Sequence, residues 1–594
     1  MKKKIVSIIC LVLCCSFLLA GCGGGSNANV IHTAQNSEPG SLDPALAQGT
    51  HESWVLDHLY TGLMKYGKDG KLEEGMAERP EISEDGLTYT FKIKKGMKWS
   101  NGDPVTAKDF EYEWLRVLAP ETAADYAYQL YYVKGGEKYN SVEKPGVYYK
   151  KDDNGKDTKE VDHEVKYTEE DLKGLDVKGK SKKEISEMVY KKWLKEAREN
   201  VGIKATDDST LVVTLENPTP YFEELTAFYT YYPVNSKIAK KDKDWAKKAG
   251  ENYTSNGPFT LKNWEHDNVI ELEKNPNWME ADKVKVDGIT FDILEDSNTA
   301  WQNYDSGKYQ ILVNPPQEVI AQKLDEKDKE LKIGEQVGTY YYNLNVVPHT
   351  KDGHKNPFEN KNIRKAFSLA LNREDICKNV TKGGQKPATG YVPTGLMDDA
   401  GKDFREQNGT LIKYDPEEAK ALLEKGLEES GLKKEDLNDL VILYNTDENH
   451  KKIAQAIQQM WKKTLGVKVG LENADFNVKL SREHAHDFDI SRAGWVGDYN
   501  DPMTMMDLFV TDGPMDDCGF SNPEYDALIA KAKATGDQKV RMDAMKQAEK
   551  ILMEESPIVP VYFYTQPYFV KSNLKDIYKP LLQYPQMTFA EIAG

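Results

Sequence analysis

"HKKIAQAIQQMWKKTLGVKVGL", residues 450–471, joins two periods in one stretch. Ile453, Ile457, Met460, Trp461 and Leu465 recur at helical spacing and make one apolar face. Gly466 is a stop, since glycine takes the left-handed conformation that closes helices without a steric cost. Residues 467–471, "VKVGL", read as the strand that follows. A helix running at once into a strand is the unit of an α/β fold.

Working outward, "YDPEEAKALLEKG" (414–426) opens another helix. Asp415 is its N-cap, Pro416 its first helical residue and Glu418 completes the box, with Gly426 or a later glycine as the stop. Nearer the start, "LTYTFKIKKGMKWSNGDPVTAKDF" (87–110) alternates Leu87, Tyr89, Phe91 and Ile93 as a half-buried strand. Asn101-Gly102 marks a turn. Thr106 and Asp109 form a capping box for a helix with Phe110, Trp114 and Leu118 on one face. "STLVVTLENPTPYF" (209–222) returns to strand through Leu211, Val213 and Leu215.

Residues 134–204 differ in composition. Lys, Asp and Glu crowd a segment with few aliphatic residues, then "SKKEISEMVYKKWLKEA" (181–197) becomes helical, with Ser181 and Glu184 as its cap. This reads as a surface insertion. Inside it "GLDVKGKS" (174–181) matches a phosphate-binding loop letter for letter. That chemistry needs a buried strand feeding the loop, so that backbone N–H groups converge on phosphate. The preceding "VKYTEEDLK" is charged, so the match reads as chance.

The chain begins with Lys2 to Lys4, an apolar run over 5–20, and "LAGC" (19–22). This is a secretory leader, with an uncleaved anchor as the alternative; the run falls short of the about 20 residues a spanning helix needs. Four of the six cysteines lie at or before position 22. Cys377 and Cys518 are too few and too far apart for a disulfide framework or a zinc site, and read as two buried thiols, with a single bridge as the alternative.

A length of 594 residues implies two or more domains. The net charge of −18 becomes −21 once a leader with three lysines is removed. That argues against nucleic acid as a partner, which requires a basic surface. The 33 tyrosines and 10 tryptophans suit both a core and a site that buries varied side chains. No H-E-x-x-H and no G-x-S-x-G occurs, and "HAHD" (484–487) reads as a solvated loop. Nothing assembles a nucleophile, base and orienter, so no enzyme, cofactor or metal is expected.

"RAGWVGDYNDP" (492–502) sets Asp498 among glycines and aromatics. A catalytic acid usually needs a partner. A carboxylate that grips a cation needs only a dry wall. A turn-capping aspartate is the competing reading.

With these stretches, "NGPFTLKNW" (256–264), "TYYYNLN" (339–345), "YNTDENHKKIAQAIQQMWKKTLGVKVGLEN" (444–473) and "SPIVPVYFY" (556–564), the chain resembles the peptide/nickel class of bacterial extracellular solute-binding proteins, and within it the oligopeptide branch. "LAGC" resembles a lipobox, which implies cleavage before Cys22, a diacylglyceryl group on that Cys, and "GGGSNAN" as a tether, 22–29. The resemblance implies an α/β fold of three domains. Domain I would take 28–64, 236–337 and 565–594, domain II 65–235, and domain III 338–564. A hinge would close I and III on an oligopeptide. Delivery would be to an ABC permease, by a monomer anchored on the outer face of the bacterial cell membrane. Nickel, haem or oligosaccharide ligands are the alternatives within the class, and a secreted hydrolase lies outside it.

The resemblance also implies site residues. Asp498 would bind the peptide's α-ammonium. Gly494, Trp495 and Val496 would pair with the peptide backbone in an extended manner, as would Glu52, Ser53 and Trp54. Trp495, Phe476 and Tyr126 would wall the pockets, and Arg492 and His450 would meet a carboxylate. On residues alone, Trp495 is equally a core residue, Arg492 a surface one and His450 a helix start. Four positions depart from the family pattern. Glu483 stands where an arginine is usual, Thr381 where a lysine is usual, and Gly338 and Val496 where some members have a disulfide.

Overall fold

The computed structural model describes residues 29–151, 157–351 and 354–593. Cys22, the leader and the tether up to residue 28 lie outside them. One four-stranded sheet contains β1 (Val30–Gln35), β8 (Phe259–Glu265), β9 (Val269–Lys274) and β10 (Gly288–Ile293) in the order β1-β10-β9-β8, with β1 parallel to β10. A second contains β2 (Glu81–Ile82), β3 (Thr88–Lys92), β6 (Ile203–Ala205) and β7 (Thr210–Thr214) in the order β2-β3-β7-β6. In β3, Tyr89 and Phe91 are buried and pair with Val213 and Leu211 of β7, as the alternation predicts. Helix α2 (Ala107–Val117) packs on this sheet through Phe110 and Trp114, and Asp109 accepts from the Thr106 N–H and hydroxyl.

The largest sheet runs β11 (Ile311–Val313), β17 (Ile558–Val570), β12 (Leu331–Leu344), β16 (Ile490–Val496), β14 (Val441–Asn445) and β15 (Gly470–Ala474), with β13 (Lys386–Pro387) also on β17. β11 and the start of β12 fall within 236–337, yet both join this sheet rather than the first. β12 and β17 pair at both ends, but residues 336–338 stand opposite Tyr564 alone. The irregularity bends both strands where they pass beside the cavity described below.

Helix α6 (Glu448–Leu465) buries Ile453, Ile457, Trp461 and Leu465, and Gly466 closes it at φ 74°. It starts two residues before the stretch first quoted, because Asp447 accepts from the Asn449 and His450 N–H groups. The strand after it begins at Gly470 rather than Val467. Val467 and Val469 are buried but not paired. Helix α5 (Pro416–Ser430) runs through Gly426 and closes at Gly431. Gly426 serves packing instead: a Cβ there would lie 2.6 Å from Ile363 Cγ1 on helix α4 (Lys361–Leu369).

The charged segment forms β4 (Gly146–Lys151) and β5 (Asp157–Val165), which pair only with each other, and helix α3 (Lys182–Glu199). Glu184 accepts from the Ser181 N–H and hydroxyl, so a carboxylate already covers the helix start of the phosphate-loop match. Cys377 and Cys518 are both free thiols; Cys518 is buried as expected, but Cys377 is only half-buried.

Candidate functional site

A cavity of about 300 Å³ lies between the end of β16, helix α1 (Thr50–Leu59), helix α7 (Phe476–His484) and the start of α6. β16 follows β12 along its whole length, but its other edge meets β14 only at Ile490 and Ser491. From Arg492 to Val496 that edge is unpaired among the described residues, and Gly494 there is exposed. An open strand edge offers backbone N–H and C=O groups to an extended ligand. Gly494 is required for close packing, since a Cβ would fall 2.2 Å from Tyr564 Oη. Gly338 and Val496 are register partners across β12 and β16.

Asp498 follows this edge. Its backbone N–H donates to Thr504 Oγ1 at 2.9 Å, and its carboxylate accepts from Gln129 Nε2 at 2.8 Å. Gln129 is 369 residues away in sequence, so the carboxylate does not cap its own turn. It forms no ion pair among the described residues. Tyr126 stacks on Trp495 with 6.0 Å between ring centroids, and Phe228 and Tyr229 flank Tyr126. Burial in this aromatic wall pushes the Asp498 carboxyl well above the usual carboxylate range. Trp495 is thus a wall residue, half-buried, with its indole nitrogen unpartnered.

The opposite end of the cavity is cationic. The Arg492 guanidinium lies 4.6 Å from the Tyr340 ring centroid and donates to Tyr564 Oη at 2.9 Å and to Asn445 Oδ1 at 3.3 Å. It is 9 % exposed and meets no carboxylate within ion-pair distance among the described residues. It is therefore not a surface arginine. His450 Nδ1 sits 3.3 Å from Tyr340 Oη. Burial, then the charge of Arg492, lowers its pKa well below the usual histidine value. Lys479 is buried on α7 and paired with Glu483 at 2.5 Å. Glu483 therefore enters the cavity as half of an ion pair, while Arg482 turns away to Glu472 and Asp487. Thr381 bonds the Cys377 carbonyl, away from the cavity lining. Phe476 lines the cavity at the start of α7.

The structure corrects one expectation. Glu52, Ser53 and Trp54 are not extended. They lie in α1, where the Ser53 N–H bonds the Gly49 carbonyl. Helical N–H groups are spent within the helix, so these residues cannot pair with a strand. Glu52 accepts the Gly49 N–H at its own helix start, and Trp54 is buried with its indole N–H on the Pro585 carbonyl. Ser53 alone of the three lines the cavity. The extended backbone there lies earlier: Gly49 has φ −125° and ψ 171°, and Gln48, Gly49 and Thr50 line the wall. An acid three residues after Gly49 is a helix-start signal that was present in the sequence. Gln129, Tyr229, Lys479 and Tyr564 carried no local signal.

Among the described residues no group of three or more His, Cys, Asp or Glu is placed to hold a metal ion, and no helix is long and apolar enough to cross a membrane. His484 and His486 are engaged by Asp517.

Residues 71–517 match the model of the bacterial extracellular solute-binding proteins, family 5. The oligopeptide-binding protein OppA of Bacillus subtilis is 38% identical over 595 residues, covering 97% of each chain. The dipeptide-binding protein DppE of the same organism is 36% identical, covering 98% of each. The solved structure of Listeria monocytogenes OppA bound to peptide superposes with a TM-score of 0.78 at 31% identity, over 95% of this chain and 99% of that one. The chain belongs to family 5 of the bacterial extracellular solute-binding proteins, which bind solutes and are not enzymes.

Proposed function

We propose that this family 5 protein captures short oligopeptides in the cavity beside β16 and hands them to an ABC permease, held at the outer face of the cell membrane by a lipid on Cys22. The observation that carries the peptide reading is Asp498. A carboxylate walled by tyrosines and tryptophan, with one neutral hydrogen-bond donor and no cation, is matched by an α-ammonium, which is cationic at neutral pH. The unpaired edge beside it would take the peptide backbone, with Gln48 to Thr50 on the far side. Backbone pairing gives affinity without dependence on side-chain identity.

Arg492 and His450 would receive the carboxylate at the other end. Arg492 and Asp498 are six residues apart, at most on the order of 20 Å of extended chain. That span fits a ligand of about six residues or fewer. Closure would occur by bending at residues 336–338 and Tyr564, with domains I, II and III moving as the resemblance implies. The lipobox "LAGC" supports the anchor and the acidic surface supports a monomer in solution.

The test is mass spectrometry of material that co-purifies with the mature protein. A ladder of mixed short peptides is expected. A single cofactor-like species or an oligosaccharide would overturn the reading.

A further inference from the structure

The cavity that Arg492 lines is also lined by a histidine from a separate element. His51 lies on α1, which packs against the first sheet through the Trp54–Phe291 ring contact. Its ring meets Phe476 edge-on at 4.9 Å and is 9 % exposed. Its Nε2 is 3.0 Å from Asn36 Oδ1, and its Nδ1 is buried without a partner while the residue lines the cavity.

The tautomer follows from Asn36. Asn36 Nδ2 donates to Asp447 Oδ2 at 3.5 Å, which turns the amide oxygen toward His51. His51 Nε2 must therefore carry the hydrogen, and in the neutral ring Nδ1 is an acceptor. An anion cannot rest against a bare acceptor. It can rest there only if Nδ1 gains a proton.

The neighbouring charges favour an anion. On α7, Lys479 and Glu483 pair with each other. Glu52 on the same helix as His51 is held by the Gly40 and Gly49 N–H groups. Asp447 caps α6. Arg492 on β16 keeps an unpartnered Nε, and His450 stands beside it. Arg492 has no close ion-pair partner among the described residues, and the Asp447 carboxylate offsets its charge only at longer range. Without a ligand the Arg492 charge opposes a proton on His51, and burial opposes it more, so the His51 pKa falls to about 4.

We propose that His51 takes up a proton from solvent as the ligand binds, and donates Nδ1–H to a ligand carboxylate that Arg492 also grips. This rests on the peptide reading above and gives the site a specificity for ligands ending in a free carboxylate. It also ties the two sides of the cavity together through one anion.

The experiment is calorimetric titration near neutral pH in buffers of different ionisation enthalpy, which counts protons taken up. The ligands are an alanine peptide, its C-terminal amide, and an amide whose last residue is glutamate. The free acid is expected to bring uptake of about one proton, so that affinity falls about tenfold per pH unit as pH rises. The amide should bring none. Uptake with the glutamyl amide alone would place a side-chain carboxylate at the site instead of the terminal one. His51→Gln keeps an N–H for Asn36 but loses Nδ1, so its uptake should fall to near zero while the amide still binds. Uptake unchanged in His51→Gln, or no uptake with any carboxylate ligand, overturns the inference. If no peptide binds at all, the peptide reading falls, and this inference with it.

Discussion

The two ends of the cavity solve the same electrostatic problem in opposite ways. At one end a lone carboxylate, Asp498, is enclosed by tyrosine and tryptophan and held by a single amide N–H. At the other, Arg492 is surrounded by adjustable groups: two histidines, two tyrosine hydroxyls and a Lys479–Glu483 pair. A fixed charge among rigid rings defines one position for its partner. A cation among groups that can gain protons or change partners tolerates variation. The difference would fix the ligand's ammonium and leave latitude at its carboxylate. The two ends also answer pH with opposite sign. Burial raises the Asp498 pKa, so lowering the pH neutralises it and weakens its hold on a cation. Burial lowers the His51 and His450 pKa values, so lowering the pH assists an anion there.

The comparison is most directly broken at Asp498. Truncating one partner of a buried charge pair costs about 2–5 kcal/mol, so Asp498→Asn should weaken a free peptide by roughly 30-fold to several thousand-fold. An N-acetylated peptide should lose most of that affinity on the unaltered protein and be nearly indifferent to the substitution. Calorimetry of both peptides against both proteins gives the coupling energy. A coupling near zero would return Asp498 to a structural role.

Arg492→Gln should cost less, about 1.5–3 kcal/mol for a charged hydrogen bond, since His51 and His450 remain. The loss should appear with a free-acid peptide and largely vanish with its amide. An equal loss with both would mean that Arg492 supports the wall through Tyr340 and Tyr564 rather than the ligand. The pH profile sharpens the contrast: below about pH 7, where the peptide's α-amine stays cationic, free-acid affinity should peak and fall on both sides, while the amide should keep only the fall toward acid.

The smallest effect belongs to a region at neither end. β4 and β5 pair only with each other and line no part of the cavity. Replacing 146–165 by a short glycine-serine linker should leave affinity within about threefold, because the removed pairing is local. A hundredfold loss measured in the same titration would make the hairpin part of the closed site.

Much of this was legible along the chain because its physics is local. The α6 stripe, the Thr106 and Ser181 caps and the alternation in β3 and β7 depend on neighbours within about four residues. The cysteine arithmetic is equally local. Asp498 was conspicuous among glycines and aromatics, but its choice between turn cap and ligand group was not. That choice rests on Gln129, Tyr126 and Trp495 converging from distant segments. Whether Gly426 or a later glycine stops α5 stayed open because a helix-terminating glycine and a helix-packing glycine look alike until Ile363 is placed beside one. Glu52 to Trp54 read as extended although the extended backbone ends at Gly49, three residues before Glu52. His51 had no signal at all: its tautomer depends on Asn36, whose orientation depends on Asp447. The sequence by itself determined most of the elements and the α/β class. Only the tertiary structure decided which charges stand unpaired, because burial and long-range partners are properties of the packed chain.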